Sequence, residues 1–359
     1  MVRTSLRELL SRTGPFASVY FDSSHDTEDA VRQVELGYRS IRQKLAEAGA
    51  SDQVIGAVGI AVAAGPSAPG RSGRALIADS ETVVVDDALP APPPREIVRV
   101  SPLPHVLPLL EQRPPRVPHV LVTVDDAGAR LLATTCHGDR LARTVDVVVN
   151  PVHRVRGGPR THRPRRDRAR NLVRHTVESV SEAVCTLADR VGATLILLAG
   201  DPAIRSALRV VLDDRYTVLR RCRCVEIDGF GDEVDEQARK IVAEAAGIRR
   251  KAVLERYEAE CTRAGGAATR GLAATATALR ATAVAHLLID GRELGDREVF
   301  AGDSRSDIAA TTAELPGPAR VRRADEAVPM AALAGGSDIV PVTGRITLPE
   351  GVGALLRLR

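Results

Sequence analysis

Thr194-Leu-Ile-Leu-Leu-Ala-Gly-Asp-Pro202 gives the clearest fold signal in the chain. Its first part, 194–199, is a nearly continuous apolar run, which is typical of a strand buried on both faces of a parallel sheet. Gly200 and the Asp201-Pro202 pair then predict a turn into a helix over 203–212. A buried parallel strand followed directly by a helix indicates an α/β domain.

A periodic helix is predicted just before this strand, over 169–191. Its apolar residues recur at alternating steps of four and three, so they form one stripe that faces a core. The stripe consists of Val173, Val177, Val180, Val184, Leu187 and Val191. Upstream of the helix, three strand-like segments separated by turns predict an antiparallel meander over 119–124, 130–135 and 143–149. We therefore expect the helix and the meander to pack around the buried strand.

The segment between the meander and this helix, 151–170, is strongly basic. Between His153 and Arg170 it has eight arginines and two histidines against one acid, Asp167. Prolines and the Gly157-Gly158 pair predict a mobile loop. Arginines close to a helix N-terminus oppose the helix dipole, and a bound anion relieves that repulsion. The alternative is a solvated arginine-rich loop, since 47 of the 50 basic residues of the chain are arginine.

The local clustering of arginine favours binding to the phosphates of RNA. The residues predicted to contact RNA are His153, Arg154, Arg156, Arg160, His162, Arg163, Arg165, Arg166 and Arg168. The chain has four tyrosines, four phenylalanines and no tryptophan, which argues against a platform of aromatic rings for stacking on bases. We therefore expect contacts to the RNA backbone, and we expect neither DNA nor a membrane as a partner.

Proline-rich and glycine-rich stretches divide the chain into three predicted domains. The first, 1–114, is an α+β domain with a strand at 16–21, a helix near 28–48 and a hairpin with strands at 74–78 and 82–85. The second, 115–264, contains the meander and the basic loop and ends with a charged connector helix over about 233–263. The third, 265–359, begins after a pair of glycines.

The third domain is predicted to be a small α/β sandwich. Its predicted helices cover 270–283, 305–314 and 325–334, and its predicted strands cover 286–289, 298–301, 339–342 and 345–348. The expected fold class of the whole chain is therefore α/β, with three domains.

Composition excludes several classes of function. The 359 residues are 44% hydrophobic, which is ample for several cores, and the net charge of +4 is modest. The five cysteines include no Cys-x-x-Cys pair, so a structural metal site is not expected. No glycine-rich nucleotide-binding pattern follows a predicted strand, so we expect no cofactor. The start of the chain has no apolar signal segment, which predicts a cytoplasmic protein.

Read together, these segments resemble the superfamily of the archaeal and eukaryotic class-one release factor and Pelota, in its bacterial branch. The resemblance extends over essentially the whole chain, and it implies a ribonuclease-H-like middle domain. Five segments carry it: His153-Arg-Val-Arg-Gly-Gly-Pro-Arg160, Leu195-Ile-Leu-Leu-Ala-Gly200-Asp-Pro202, Leu272–Ile289, Gly351-Val-Gly-Ala-Leu-Leu-Arg357, and Ser18-Val-Tyr-Phe-Asp22 with Ser24-His-Asp-Thr27. The last of these is similar to mycobacterial relatives of the hibernation factor Balon, the group that the chain resembles most.

One departure from the family pattern bears on function. Release factors carry Gly-Gly-Gln in this loop, whereas here Gly157 and Gly158 are followed by Pro159, and the loop contains no glutamine. Proline also fixes φ and removes a backbone donor, which disfavours the same loop geometry. We therefore expect no catalytic residue and no enzyme activity.

Three functions follow from these observations as expectations. The first is a non-catalytic hibernation factor that occupies the vacant A site of the 70S ribosome, with the basic loop on ribosomal RNA near the peptidyl-transferase centre. For this function the resemblance implies the elongation factor EF-Tu as a candidate partner of the C-terminal domain, and whether it binds stays open.

Two catalytic functions are the alternatives. A peptidyl-tRNA hydrolase or release-factor-like esterase would need His153 or His162 as a general base, but neither has an evident nucleophile or orienting carboxylate. A metal-dependent nuclease would use Asp125, Asp126 and Asp201, which follow predicted strands. Asp125-Asp126 is also a good turn sequence and Asp201-Pro202 a good helix start, and the structural interpretation is the stronger of the two.

Overall fold

The computed structural model describes residues 6–24, 30–64, 71–113, 117–125, 127–135, 139–146, 163–217, 222–344 and 346–357. The chain forms two compact units, each with its own sheets and cores. The first unit joins Met1–Pro114 to Arg249–Arg359, and the second is Pro115–Ile248. Both units combine helices with sheets, which confirms the predicted α/β class.

The amino-terminal part of the first unit is a four-stranded antiparallel sheet with helices against it. Its elements are α1 (Glu8–Ser11), β1 (Phe16–Asp22), α2 (Ala30–Glu47), α3 (Asp52–Ala63), β2 (Gly73–Ala78), β3 (Val83–Leu89), β4 (Ile97–Ser101) and α4 (Leu107–Gln112). The strand order is β3-β2-β1-β4. The predicted first strand and hairpin are confirmed. Sequence analysis missed α3, whose amino end is capped by the Ser51 side chain.

The second unit is built on a five-stranded mixed sheet. Its elements are β5 (His119–Asp125), β6 (Gly128–Thr134), β7 (Arg140–Asp146), α5 (Arg163–Val191), β8 (Leu195–Gly200), α6 (Pro202–Thr217), β9 (Arg223–Glu226) and α7 (Asp232–Thr262), of which α7 continues into the first unit. The strand order is β7-β6-β5-β8-β9. β6 runs opposite to the other four strands, which all run in one direction, so this is the ribonuclease-H-like topology expected for the middle domain.

The predicted buried strand is the centre of this sheet. All six residues of β8 are buried, and the strand pairs in parallel with β5 on one side and β9 on the other. Ile196 and Leu198 pack under α5 and α6, while Leu195 and Leu197 pack under α7. Covering both faces with helices removes all of its side chains from water, which explains why no polar residue interrupts the run.

The carboxyl-terminal part of the first unit contains two further sheets. Its elements are β10 (Ala268–Arg270), α8 (Leu272–Arg280), β11 (Val284–Ile289), α9 (Gly291–Leu294), β12 (Glu298–Ala301), β13 (Ile308–Ala309), β14 (Arg320–Arg323), α10 (Ala324–Ala334), β15 (Asp338–Pro341) and β16 (Val352–Leu356). The strand orders are β10-β16-β11-β15 and β13-β12-β14.

Two predictions for this region were wrong. The helix predicted over 305–314 is replaced by a turn, by β13 and by a 3-10 turn at Thr312–Glu314. Here the Asp307 carboxylate accepts from the Ser304 backbone at 3.3 Å, and such local side-chain bonds compete with a helix. The strand predicted over 345–348 forms no pair in the described residues; Leu348 is instead buried in a core, and Ile346 packs against that core.

Candidate nucleic-acid interface

The predicted RNA-binding residues fall into two groups. The residues from His153 to Arg160, with the Gly157-Gly158-Pro159 motif, and His162 lie outside the described residues. Arg163, Arg165, Arg166 and Arg168 lie in the first two turns of α5. The predicted helix start at 169 was therefore six residues too late. Pro164 misled the prediction, because proline is compatible with the first turn of a helix, where its missing N–H needs no partner.

The other end of α5 is anchored firmly in the domain. The predicted stripe is confirmed for Val177, Val180, Val184, Leu187 and Val191, which are all at most 8% exposed. They pack against the buried faces of β5, β6 and β8. Since these residues occupy the last four turns, the packing fixes the direction in which the helix axis leaves the sheet.

The amino end of α5 extends beyond the sheet. Only three residues lie between the end of the helix at Val191 and the start of β8 at Leu195, so the helix runs antiparallel to that strand. Its 29 residues span about 43 Å at 1.5 Å per residue. The six residues of β8 span only about 20 Å. The turns that carry Arg163 to Arg168 therefore project past the edge where the parallel strands end.

Carboxylates at this same edge of the sheet cap turns. Asp125 Oδ1 accepts the backbone N–H groups of Ala127 and Gly128, each at 2.9 Å. Asp201 Oδ1 accepts those of Ala203 and Ile204, also at 2.9 Å, and so caps α6. These are the structural roles that the sequence favoured for Asp125 and Asp201. Asp126 lies outside the described residues.

One cluster in the described residues has the composition of a metal site. His105, Asp325 and Glu326 in the first unit are buried and offer ligand atoms that all lie within 4.8 Å of one another. Arg99 Nη1 donates to both oxygens of Asp325 at 3.2 and 3.1 Å and to Glu326 at 2.9 Å. Arg323 donates to the same two Asp325 oxygens at 3.1 and 3.0 Å.

This cluster fits an ion-pair network better than a metal centre. Two guanidiniums already satisfy both oxygens of Asp325, and a divalent cation would have to displace them. His105 Nδ1 lies 3.9 Å from Asp325 and has no hydrogen-bond partner among the residues that the structure describes. Burial lowers the pKa of His105 to about 4, so the ring is neutral near pH 7. The cluster therefore stabilises the first unit.

Cys222 directly precedes β9 and Cys224 lies in it. Burial raises the pKa of each thiol to about 12, so both are protonated at neutral pH in this structure. In addition, none of the helices in the described part of the chain is long and apolar enough to cross a membrane.

Sequence analysis missed Arg205, which organises the carboxyl end of β9. This α6 residue is only 8% exposed. Its guanidinium donates to Glu226 at 2.8 Å, to the Ile227 carbonyl at 2.7 Å and to Asp228 at 2.8 Å. Phe230 follows in the same turn and is 78% exposed. The sequence carries no signal for this network, because Arg205 lies in an amphipathic helix where an exposed arginine is the ordinary expectation.

Comparison with known proteins identifies relatives. Residues 118–263 match the family described as Bacterial archaeo-eukaryotic release factor family 2. The uncharacterized protein Rv2629 of Mycobacterium tuberculosis is 35% identical over 363 residues, which cover 98% of this chain and 96% of Rv2629. The uncharacterized protein MT2704 of another strain of the same organism matches to the same extent.

Solved structures that match at low identity and low TM-score include translation factors. Archaeal Pelota, in a model of ribosome-bound Pelota and ABCE1, is 14% identical with a TM-score of 0.39, covering 100% of this chain and 96% of that one. The archaeal translation termination factor aRF1 is 15% identical with a TM-score of 0.25, covering 98% and 96%. Scores this low assign no role to any residue.

Proposed function

Because the chain belongs to the protein family of Rv2629 and carries a release-factor-type domain over 118–263, we propose that it is a non-catalytic ribosome-binding factor. In this proposal it occupies the vacant A site of the 70S ribosome and holds the ribosome inactive, as a hibernation factor does. The basic segment that begins at His153 contacts ribosomal RNA near the peptidyl-transferase centre.

The arrangement of α5 is the observation that supports this proposal most. Four arginines, Arg163, Arg165, Arg166 and Arg168, lie in helical turns that project beyond the sheet, and the opposite end of the helix is packed into the core. A rigid helix can carry positive charge into a phosphate-rich cavity without the entropy cost of ordering a long loop. Guanidinium groups are also well suited to phosphate, since they donate two parallel hydrogen bonds.

The absence of catalysis is proposed from the sequence of the loop. Pro159 stands where release factors have the glutamine of Gly-Gly-Gln, and the sequence from 147 to 170 contains no glutamine. Asp125 and Asp201, at the carboxyl edge of the sheet, are engaged in a turn and a helix cap. The proposed partners are the ribosome and, through the C-terminal domain, EF-Tu, and the proposed compartment is the cytoplasm.

Co-sedimentation with vacant 70S ribosomes across a salt series tests the proposal. The variant changes Arg160, Arg163, Arg165 and Arg166 to serine. A control variant changes four exposed arginines elsewhere, Arg190, Arg239, Arg256 and Arg320, to serine and therefore has the same net charge. We expect stoichiometric binding of the wild type.

The salt dependence is the decisive quantity. Each lost phosphate contact lowers the slope of log K against log salt by about 0.7–0.9, so the four-arginine variant should lose about 3 units of slope. The control variant should keep most of the slope. Equal slopes for the two variants would reject the basic segment as the RNA contact, and failure of the wild type to bind would reject the function.

A further inference from the structure

The middle sheet has a second arginine-bearing surface, on the face that α5 does not cover. Residues of β5, β6 and β7 that are paired across the strands form three rows on this face. The rows are Thr123–Arg130–Thr144, Leu121–Leu132–Ala142 and His119–Thr134–Arg140. The first row combines an arginine with two threonine hydroxyls, the third combines an arginine with one threonine hydroxyl and a histidine, and the middle row is apolar. We call these nine residues the open face.

The helices of the second unit cover only part of this side of the sheet. α7 packs over β8 through Val234, Ala238 and Ala246, and of the open face only Leu121 is packed against that core. Arg130, Arg140, Ala142 and Thr144 are exposed. The opposite side of the same strands is covered, since Val120, Val122, Leu131 and Ala133 are at most 1% exposed. In the described part of this unit, β6 is therefore covered on one side and open on the other, and the edge strand β7 is largely exposed.

The open face is rich in hydrogen-bond donors and contains no acid. Neither Arg130 nor Arg140 has an acidic partner among the described residues, whereas Arg205 and Arg209 in the same unit are paired with carboxylates. The acids closest to the open face are Asp139, which directly precedes Arg140, and Asp125 and Asp146, which form the next row of the same face with Gly128. Burial lowers the pKa of His119, and the positive charge of Arg140 adds a smaller contribution in the same direction.

These features identify a polyanion with a phosphate backbone as the occupant. Guanidiniums and threonine hydroxyls are the groups that bind phosphate oxygens in protein–nucleic acid interfaces. The two arginine rows are four residues apart along the strands, which places them about 13 Å from each other. The face therefore reaches more than one phosphate of a single strand. The small apolar row lacks an aromatic anchor of the kind found at the centre of protein interfaces.

We propose that the open face is a second RNA-binding surface that holds the sugar–phosphate backbone through Arg130 and Arg140. The claim that this surface contacts ribosomal RNA rests on the proposed function. The claim that it binds phosphate groups does not depend on that function. This surface is distinct from the basic segment of α5. It lies on a rigid sheet, and the structure describes all nine of its residues.

A double variant and a control from the same domain test this surface. The variant is Arg130→Ser with Arg140→Ser. The control is Arg143→Ser with Arg190→Ser: Arg143 lies on the same strand β7 but pairs with buried Leu131 and so belongs to the opposite face. All four arginines are exposed, so neither variant should shift the urea midpoint of unfolding.

The first probe is a fluorescent RNA hairpin, whose binding is measured by anisotropy over a salt series. We expect the open-face variant to bind about tenfold more weakly near 0.1 M salt, with the slope of log K reduced by about 1.4–1.8. The control should lose clearly less. Equal losses in both variants, or no loss in either, would overturn the proposal. Tighter binding of polyglutamate than of RNA through the same arginines would also overturn it, in favour of an acidic protein.

The second probe is the vacant 70S ribosome. One outcome is that the wild type binds ribosomes and the open-face variant binds them with the same affinity and the same slope of log K against log salt. In that case the open face does not contact the ribosome, and the proposal of a ribosomal RNA contact is overturned. If the wild type does not bind ribosomes, the proposed function fails, and the hairpin measurement still decides whether the open face binds RNA.

Discussion

Arg99 Nη1 and Glu326 Oε1 lie 2.9 Å apart although 227 residues separate them in the sequence. Arg99 belongs to β4 and Glu326 to α10, so the pair joins the amino-terminal part of the first unit to its carboxyl-terminal part. The Glu326 side chain is only 2% exposed, and that of Arg99 is 23% exposed. With Asp325 on the same guanidinium, the pair forms a partly desolvated link between distant parts of the chain.

Replacing Arg99 by leucine should destabilise the first unit substantially. Removing one partner of a buried ion pair leaves the other charge without compensation, at a cost of about 3–5 kcal/mol, with the lower end expected here because Arg99 is partly exposed. Urea unfolding followed by circular dichroism measures this cost. Lys44→Ala is the control, because it breaks the exposed pair with Glu96 at 2.6 Å and should cost less than about 1 kcal/mol. Similar costs for both variants would contradict the role given to Arg99.

The stability of the first unit should fall as the pH drops from about 6.5 to about 4. Burial lowers the pKa of His105 to about 4 in the folded state, below its unfolded value. The folded state therefore favours the neutral ring, and this contribution is fully present above the unfolded pKa and is lost as the pH falls through the folded pKa.

His105→Gln removes this titration. We expect the fall in unfolding free energy between pH 7 and pH 4 to be smaller in the variant by roughly 3 kcal/mol, as the difference in pKa requires. Urea unfolding at several pH values provides the measurement. Parallel pH profiles for wild type and variant would show that His105 does not titrate as described.

Gly200 should tolerate no side chain. It has φ +99°, and a Cβ atom there would lie 2.9 Å from the carbonyl carbon of Val124 and overlap its oxygen. Gly200→Ala therefore combines backbone strain with a backbone clash, which together should cost about 2–6 kcal/mol. Gly192 has φ +62° with nothing within 4 Å of a Cβ atom, so Gly192→Ala tests strain alone and should cost about 1–2 kcal/mol. Thermal unfolding in which Gly192→Ala is the more destabilised variant would contradict the close approach of Gly200 to the Val124 carbonyl.

Arg205 should hold the turn that presents Phe230. Arg205→Met leaves Glu226 and the Ile227 carbonyl without their nearly buried donor, and we expect a loss of about 2–5 kcal/mol together with faster hydrogen exchange over 228–231. Arg209→Met, one helical turn later, removes a half-exposed arginine at 3.3 Å from Glu226 and should cost less than about 1 kcal/mol. Unchanged exchange in the Arg205 variant would mean that other contacts fix the turn.

The parts of the fold that the sequence predicted are those in which one physical effect dominates. Burial on both faces leaves β8 with an uninterrupted apolar run, and one-sided burial gives α5 its stripe, so both were recognised. The turns Asp125–Gly128 and Gly200–Pro202 were recognised because their residues have strong local preferences. The start of α5 was missed because proline stops a helix inside its body but not in its first turn.

Features that depend on distant residues could not be predicted. Arg99 and Arg205 occupy positions where an exposed arginine is the ordinary case, and only the packing of other segments buries them. The open face could not be predicted from the sequence either, since its three rows depend on the register of β5, β6 and β7. The clustering of arginines was evident from composition, whereas the projection of the turns that carry Arg163 to Arg168 beyond the sheet follows from the length of α5.

Binding to vacant and to A-site-occupied ribosomes tests the central proposal most directly. The affinity of the wild type would be measured for vacant 70S ribosomes and for ribosomes with tRNA in the A site, and released peptide would be measured with peptidyl-tRNA in the P site. We predict stoichiometric binding to vacant ribosomes, at least tenfold weaker binding when the A site is filled, and no peptide release. Equal affinity for both ribosomes, or release of peptide, would contradict a non-catalytic factor of the vacant A site.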